Sequence, residues 1–250
     1  MIQYLSGNKP GWYEDRDKIK SIIIMPGVAR IGSHAFDDCT NVNTIIFYGS
    51  KPSFGFTPFT GVTANAYYTP DETWTNLPNY SDATITWIES NGQCGDNLFW
   101  RIDENKIIHI TGTGDMYDYP GNFSLPWYKW ADDIVGVEIA SGCTSIGEGA
   151  FYSCSKIESV TMPSTVKTIG KNAFYRCSRL SSINLSSSLT NIGESAFYYC
   201  YALSEITIPD KVTVIDETAF MGCSSLKSVV IPDSVVTLGL RAFAQCSSLE

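Results

Sequence analysis

Five phenylalanines, Phe151, Phe174, Phe197, Phe220 and Phe243, stand 23 residues apart. Five cysteines, Cys154, Cys177, Cys200, Cys223 and Cys246, keep the same interval. Two short phrases recur between them. The first is Leu203-x-x-Ile206-x-Ile208-Pro209, with counterparts that begin at Ile157, Leu180 and Leu226. The second is written in full as Val166-x-x-Ile169-Gly170-x-x-Ala173-Phe174-x-x-Cys177. Self-similarity at a fixed period of about 20–50 residues means one supersecondary unit stacked on copies of itself, a solenoid.

The first phrase has the alternation of a strand with one buried face, Ile206 and Ile208 inward, Glu205 and Thr207 outward. Pro163, Pro209 and Pro232 end it, because proline has no amide hydrogen for the next rung. The Ile-Gly pair of the second phrase is expected to turn a corner. Gly32, Gly147, Gly170, Gly193 and Gly239 fill that place and Asp216 does so once, a set that points to positive φ. Ala-Phe then returns the chain along the convex side as a short helical or irregular segment, with Phe in the core. Paired strands lie about 4.8 Å apart, so stacking predicts ladders of Ile, of Phe and of Cys. Burial of each Phe contributes roughly 1.5–3 kcal/mol. The expected fold class is an α/β solenoid with a parallel β-sheet on its concave face.

One copy of the pattern reads Cys200-x-x-Leu203-x-x-Ile206-x-Ile208-Pro209-x-x-Val212-x-x-Ile215, followed by Ala219-Phe220. It resembles the BspA-like leucine-rich repeat family, over about residues 18–48 and 134–250. The resemblance implies a right-handed leucine-rich solenoid. It also implies a surface or secreted protein of bacteria or some parasitic protists, of a kind linked to adhesion and to binding host or matrix proteins.

The formal charge is −9. Nucleic-acid binders carry basic patches and anionic membranes attract basic segments, so neither is an expected partner. The run Ile22-Ile23-Ile24-Met25 is strand-sized, far below the ~18 residues of a spanning helix. Polar residues follow Met1 where a signal peptide would need an apolar core. The chain stops at Glu250, one residue into a strand phrase, and reads as part of a longer secreted or cell-surface protein. Eight cysteines raise the question of disulfides. Six of them, Cys39 and the five at the period, share one place in the repeat, each interior one with two equal neighbours. They are read as free thiols buried as small hydrophobes. Cys143 takes the place of Val166, and Cys94 lies outside the repeats without an obvious partner.

An offset of 115 aligns Met1 with Met116, Tyr4 with Tyr119, Trp12 with Trp127, Tyr13 with Tyr128, Phe36 with Phe151 and Cys39 with Cys154. The chain therefore divides into a truncated aromatic lead-in (1–17), a short array (18–48), a β-rich terminal cap (49–90), a hairpin and aromatic cap (91–133) and a main array (134–250). In 49–90 the period is lost, although Phe59-x-Gly61 echoes Phe220-x-Gly222. Segments 98–102 and 107–111 read as a hairpin. In the main array five parallel strands are expected to begin at Ile134, Ile157, Leu180, Leu203 and Leu226.

Repeat solenoids use their extended concave surface for binding. Its outward positions here are Ser159, Thr161, Ser182, Asn184, Glu205, Thr207, Ser228 and Val230, flanked by Lys227. They make a small, polar, weakly charged surface on which a protein partner could lie. The alternative is a glycan stacked on the lead-in aromatics Trp127, Tyr128 and Trp130, against which stands a role in covering the hydrophobic end of the coil. No metal or cofactor is expected. The acidic pairs Asp115/Asp118 and Asp132/Asp133 lack calcium-loop spacing, and His34 and His109 do not make a zinc motif. No Gly-x-Ser-x-Gly or phosphate loop occurs, and the in-phase cysteines are expected in the core, so the chain is read as non-enzymatic. Asn79, Asn122 and Asn184 begin glycosylation sequons. The function expected is adhesion to a host or extracellular-matrix protein through the concave strands. A glycan module and a spacer for another domain are the alternatives.

Overall fold

The structure, a computed structural model, describes residues 11–69, 73–89, 91–120 and 125–250. Met1, Tyr4 and the sequon at Asn122 lie outside them. The chain forms two compact units, one ending at Gly92 and one running from Gln93 to Glu250.

The first unit holds β1 (Ser21–Ile24), β2 (Arg30–Ile31), β3 (Thr44–Phe47), β4 (Ser53–Phe54), β5 (Thr63–Tyr68) and β6 (Thr84–Glu89). β1, β3, β5 and β6 form one parallel sheet in that order, and β2 pairs in parallel with β4. The register advances by 23 residues from Ile22 to Ile45, then by 21 from Ile45 to Ala66 and by 21 from Ala66 to Trp87. Segment 49–90 thus continues the coil with shorter turns; what it loses is the 23-residue period, not the winding. Its aromatic residues fill the inside. Phe59 is fully buried and stacks on Phe36 at 5.8 Å, and Trp74 packs edge-on against Phe47 at 5.1 Å. Gly61 has φ 75° and Gly222 has φ 78°, so the Phe-x-Gly echo marks the same turn.

β7 (Asn91–Gln93) crosses the boundary between the units in sequence. In the second unit β8 (Asn97–Ile102) and β9 (Ile107–Asp115) form the expected antiparallel hairpin. β9 serves two ladders. Ile107 to Ile110 pair in parallel with β10 (Gly136–Ile139), while Gly114 and Asp115 pair with β11 (Cys143–Ile146). The first phrases continue one ladder through β12 (Ser159–Thr161) and, after the intervening β13 (Thr168–Ile169), through β14 (Ser182–Ile183). The second phrases make the other ladder from β11 through β13, β15 (Asn191–Ile192), β16 (Val214–Ile215) and β17 (Thr237–Leu238). The residues expected to form a corner are therefore rungs themselves. Of the five expected first-phrase strands three form; those at Leu203 and Leu226 do not join a ladder.

The Ala-Phe segments are turns rather than helices, and they are also linked coil to coil. The amides of Phe151, Phe174, Phe197 and Phe220 donate to the carbonyl oxygens of Ala173, Ala196, Ala219 and Ala242 at 2.7–2.8 Å. The rings of Phe151, Phe174, Phe197, Phe220 and Phe243 stack in one column with centroids 5.1–5.3 Å apart. Two residues of positive φ flank each turn: Gly149 and Ser153, Asn172 and Arg176, Ser195 and Tyr199, Thr218 and Gly222, Arg241 and Gln245. These, and not the Ile-Gly glycines, are the left-handed positions; Gly147, Gly170, Gly193, Gly239, Gly32 and Asp216 all have ordinary φ. Distance selects glycine there instead. A Cβ on Gly193 would sit 2.8 Å from the carbonyl carbon of Gly170, and one on Gly239 would sit 2.3 Å from the amide nitrogen of Glu217. At Gly32 a Cβ would meet nothing within 4 Å.

Candidate interaction face

The alternation read from the first phrase sets which side chains reach solvent. Leu203, Ile206 and Ile208 are buried, while Glu205 and Thr207 are exposed. All nine predicted face positions are exposed: Ser159, Thr161, Ser182, Asn184, Glu205, Thr207, Lys227, Ser228 and Val230, the last at 80 %. Six of them line one open groove of about 520 Å³: Ser182, Asn184, Glu205, Thr207, Ser228 and Val230. Asp210 and Pro232 complete its rim. Ser159 and Thr161 lie on β12, and Lys227 stands outside the groove lining.

The groove exists because the first-phrase ladder thins along the array. Four residue pairs join β9 to β10, three join β10 to β12 and two join β12 to β14. Beyond β14 the links are single: Ser204 donates its amide to Ser181 at 3.1 Å, and Lys227 to Ser204 at 3.3 Å. Among the described residues, no backbone hydrogen bond involves 205–208 or 228–231. The second-phrase ladder stays closed at the same coils, with Asp216 donating to Ile192 at 2.9 Å and Gly239 to Ile215 at 2.7 Å. The spacing of residues in the sequence carries no sign of this opening, since the phrase at Leu203 matches the phrase at Ile157 position for position.

The aromatic cluster is built differently from an exposed platform. Trp127 is fully buried, its ring stacked on Phe151 at 5.5 Å and set against Trp100 at 5.7 Å. Trp130 is half-buried against Trp100 at 5.6 Å. Of the three proposed sugar contacts only Tyr128 is exposed.

The remaining polar candidates have structural partners. The Asp115 carboxylate accepts from the Thr144 hydroxyl at 2.6 Å, and Asp118 accepts from the Glu148 amide at 2.7 Å. His109 bridges two carboxylates, Nε2 lying 3.0 Å from Asp103 and Nδ1 3.1 Å from Glu138. Asp103 also accepts from the amides of Asn105 and Ile107, closing the hairpin turn. His34 lies 2.8 Å from Asp37 on an exposed turn. Among the described residues no three His, Cys, Asp or Glu side chains gather as metal ligands. No helix among them is long and apolar enough to cross a membrane.

All eight cysteines are free and buried. The thiols of Cys177, Cys200, Cys223 and Cys246 each donate to the carbonyl oxygen of a Phe in the preceding coil at 3.2–3.3 Å. Burial pushes Cys143 up to about 11 and Cys154 up to about 12. It raises Cys177, Cys200 and Cys223 as well. A nucleophilic cysteine needs the thiolate, which this environment disfavours.

The family described as BspA type Leucine rich repeat region matches residues 10–108 and 127–250, in six copies. No curated protein matches the chain. Among solved structures, a leucine-rich repeat protein of T. pallidum is 28 % identical, covering 63 % of this chain and 68 % of its own, with a TM-score of 0.47. One of Bacteroides ovatus is 31 % identical over 63 % of this chain, which spans 45 % of it, at a TM-score of 0.48. A leucine rich cell surface protein of Faecalibacterium prausnitzii is 24 % identical, covering 93 % of this chain and 78 % of its own, at a TM-score of 0.49.

Proposed function

The chain belongs to the BspA-type leucine-rich repeat family, and from that premise we propose that it is a non-enzymatic binding scaffold, secreted or displayed at a cell surface. It adheres to a host or extracellular-matrix protein through the first-phrase face of the main array. One observation carries this most: nine outward positions at the repeat spacing are all exposed, and six of them meet in one groove. Stacked repeats offer an extended surface of this kind without any catalytic group. The binding residues are Ser159, Thr161, Ser182, Asn184, Glu205, Thr207, Lys227, Ser228 and Val230. A glycan held by Trp127, Tyr128 and Trp130 has less support, since the Trp127 ring offers no face to a sugar.

The test is binding of the chain to an immobilised basement-membrane extract, with and without the triple change Asn184→Ala, Glu205→Lys and Lys227→Glu. Saturable binding that the triple change abolishes, and that deglycosylating the extract leaves intact, is the expected result. Binding indifferent to the triple change would remove the face from consideration.

A further inference from the structure

Building on the protein-binding reading of this face, we propose that the groove takes an extended peptide segment of its partner, one that carries a basic side chain beside an aliphatic one. The partner's main chain completes the ladder that the solenoid leaves open.

Three observations point there. The first is the free backbone. Segments 205–208 and 228–231 follow strand phrases, yet among the described residues they exchange no backbone hydrogen bond with any neighbour. Unpaired amides and carbonyls along an extended segment are a template for another strand, and their hydrogen bonds are indifferent to the partner's sequence. Four residues of strand offer about 13 Å of such template.

The second is charge. Glu205 and Asp210 line the groove, and Asp233 lines an adjoining recess with Asp210; no Lys or Arg lines either. None of the three carboxylates is held in an ion pair. Opposite charge across an interface steers encounter and fixes register, so the segment presents Lys or Arg to these groups. A second copy of this chain would bring the same acids face to face and is disfavoured.

The third is apolar surface in the same place. Val230 is 80 % exposed and Ile231 37 % exposed, and both line the recess that Asp210 shares with the groove. In a strand, successive side chains point to opposite faces. An alternating basic and aliphatic segment therefore sets one side chain on the acids and the other on Val230.

The probe is a capped, fluorescein-labelled octapeptide of alternating lysine and valine, titrated against the whole chain at low salt. Fluorescence anisotropy measures its binding, and hydrogen–deuterium exchange maps it. The expected result is binding that slows exchange at 205–208 and 228–231. Methylating alternate peptide amides weakens it about tenfold or more, and so does Glu205→Lys with Asp210→Lys. Glutamate in place of lysine abolishes it. Equal binding of the methylated peptide, or protection elsewhere only, overturns the extended-peptide proposal. Basement-membrane binding is measured in parallel. If it needs Glu205 while no peptide protects the groove, the extended-segment proposal fails and the adhesion reading stands. If the peptide protects the groove but the extract does not bind, the adhesion reading fails and the groove remains a peptide site.

Discussion

The indole of Trp127 lies 5.5 Å from the ring of Phe151 with the two planes 20° apart, and its Nε1 donates to the carbonyl oxygen of Ala150 at 3.1 Å. Trp127 is thus the first rung of the phenylalanine column. The first unit repeats the arrangement, with Trp12 on Phe36 at 6.1 Å and 20°. Removing a fully buried Trp forfeits its burial and leaves a cavity. Trp127→Ala is expected to destabilise the second unit by about 3–5 kcal/mol. Tyr128→Ala, at an exposed neighbour, should change stability by no more than about 0.5 kcal/mol. Urea unfolding of the two variants decides it; equal midpoints would sink the column.

Two glycines from the same motif position should respond in opposite ways. At Gly193 an added methyl runs into the backbone of the coil below, within 2.8–2.9 Å of three atoms. At Gly32 it meets open space. Gly193→Ala should therefore cost about 1–3 kcal/mol, as overpacking does, and Gly32→Ala should be neutral or slightly stabilising because it narrows the unfolded ensemble. If both are equally harmful, backbone conformation rather than distance would be the reason for glycine.

The thiol column predicts an alkaline weakness. Burial raises these thiols above the unfolded value of 9.0, to about 12 for Cys154. A group with a raised folded pKa keeps its full contribution below its unfolded value and loses it as pH climbs through the folded one. Stability should hold up to pH 9.0 and then fall, by about 1.4 kcal/mol per pH unit for each such thiol. Cys154→Ala should make the fall shallower. Chemical denaturation on either side of that value measures it, and identical slopes for the two proteins would contradict the burial account.

Asp103 predicts the opposite behaviour in acid. Burial works against its carboxylate, but hydrogen bonds from His109 and the Ile107 amide outweigh that and hold it below the usual 3.8. Its contribution is complete above 3.8 and is lost as pH falls through the lower folded value. Asp103→Asn should lower stability at neutral pH and flatten the acid limb of the stability curve. Amide exchange in the 103–107 turn, followed from about pH 6 down to pH 3, would show that turn opening early in the variant. Unchanged exchange would mean that the clip carries no weight.

Much of this molecule is written in its period. The Phe and Cys columns, the inward Ile206 and Ile208 and the outward Glu205 and Thr207 all follow from residue type at a fixed spacing. What escapes is anything set by the distance between coils. The glycine after Ile169 looks like a turn residue in one dimension and is a close approach in three. The residues truly held left-handed, such as Asn172 and Arg176, vary in identity from coil to coil and so leave no motif. Continuation of the coil through 49–90 was hidden because a 21-residue step does not align with a 23-residue one. The groove was hidden because a phrase that pairs and a phrase that does not are spelled alike.

β9 belongs to both ladders, whereas every later strand of the second unit belongs to one. Coils of a solenoid touch only their neighbours, so stability spreads along the array by adjacency. The coil built on β9 is tied into the six-pair hairpin with β8 on one side and two rungs on the other. Cooperativity therefore has a direction in this unit. Melting proceeds by fraying, starting with the coils most remote from β9, and the groove lies on that softer side, able to change shape while the hairpin end stays rigid.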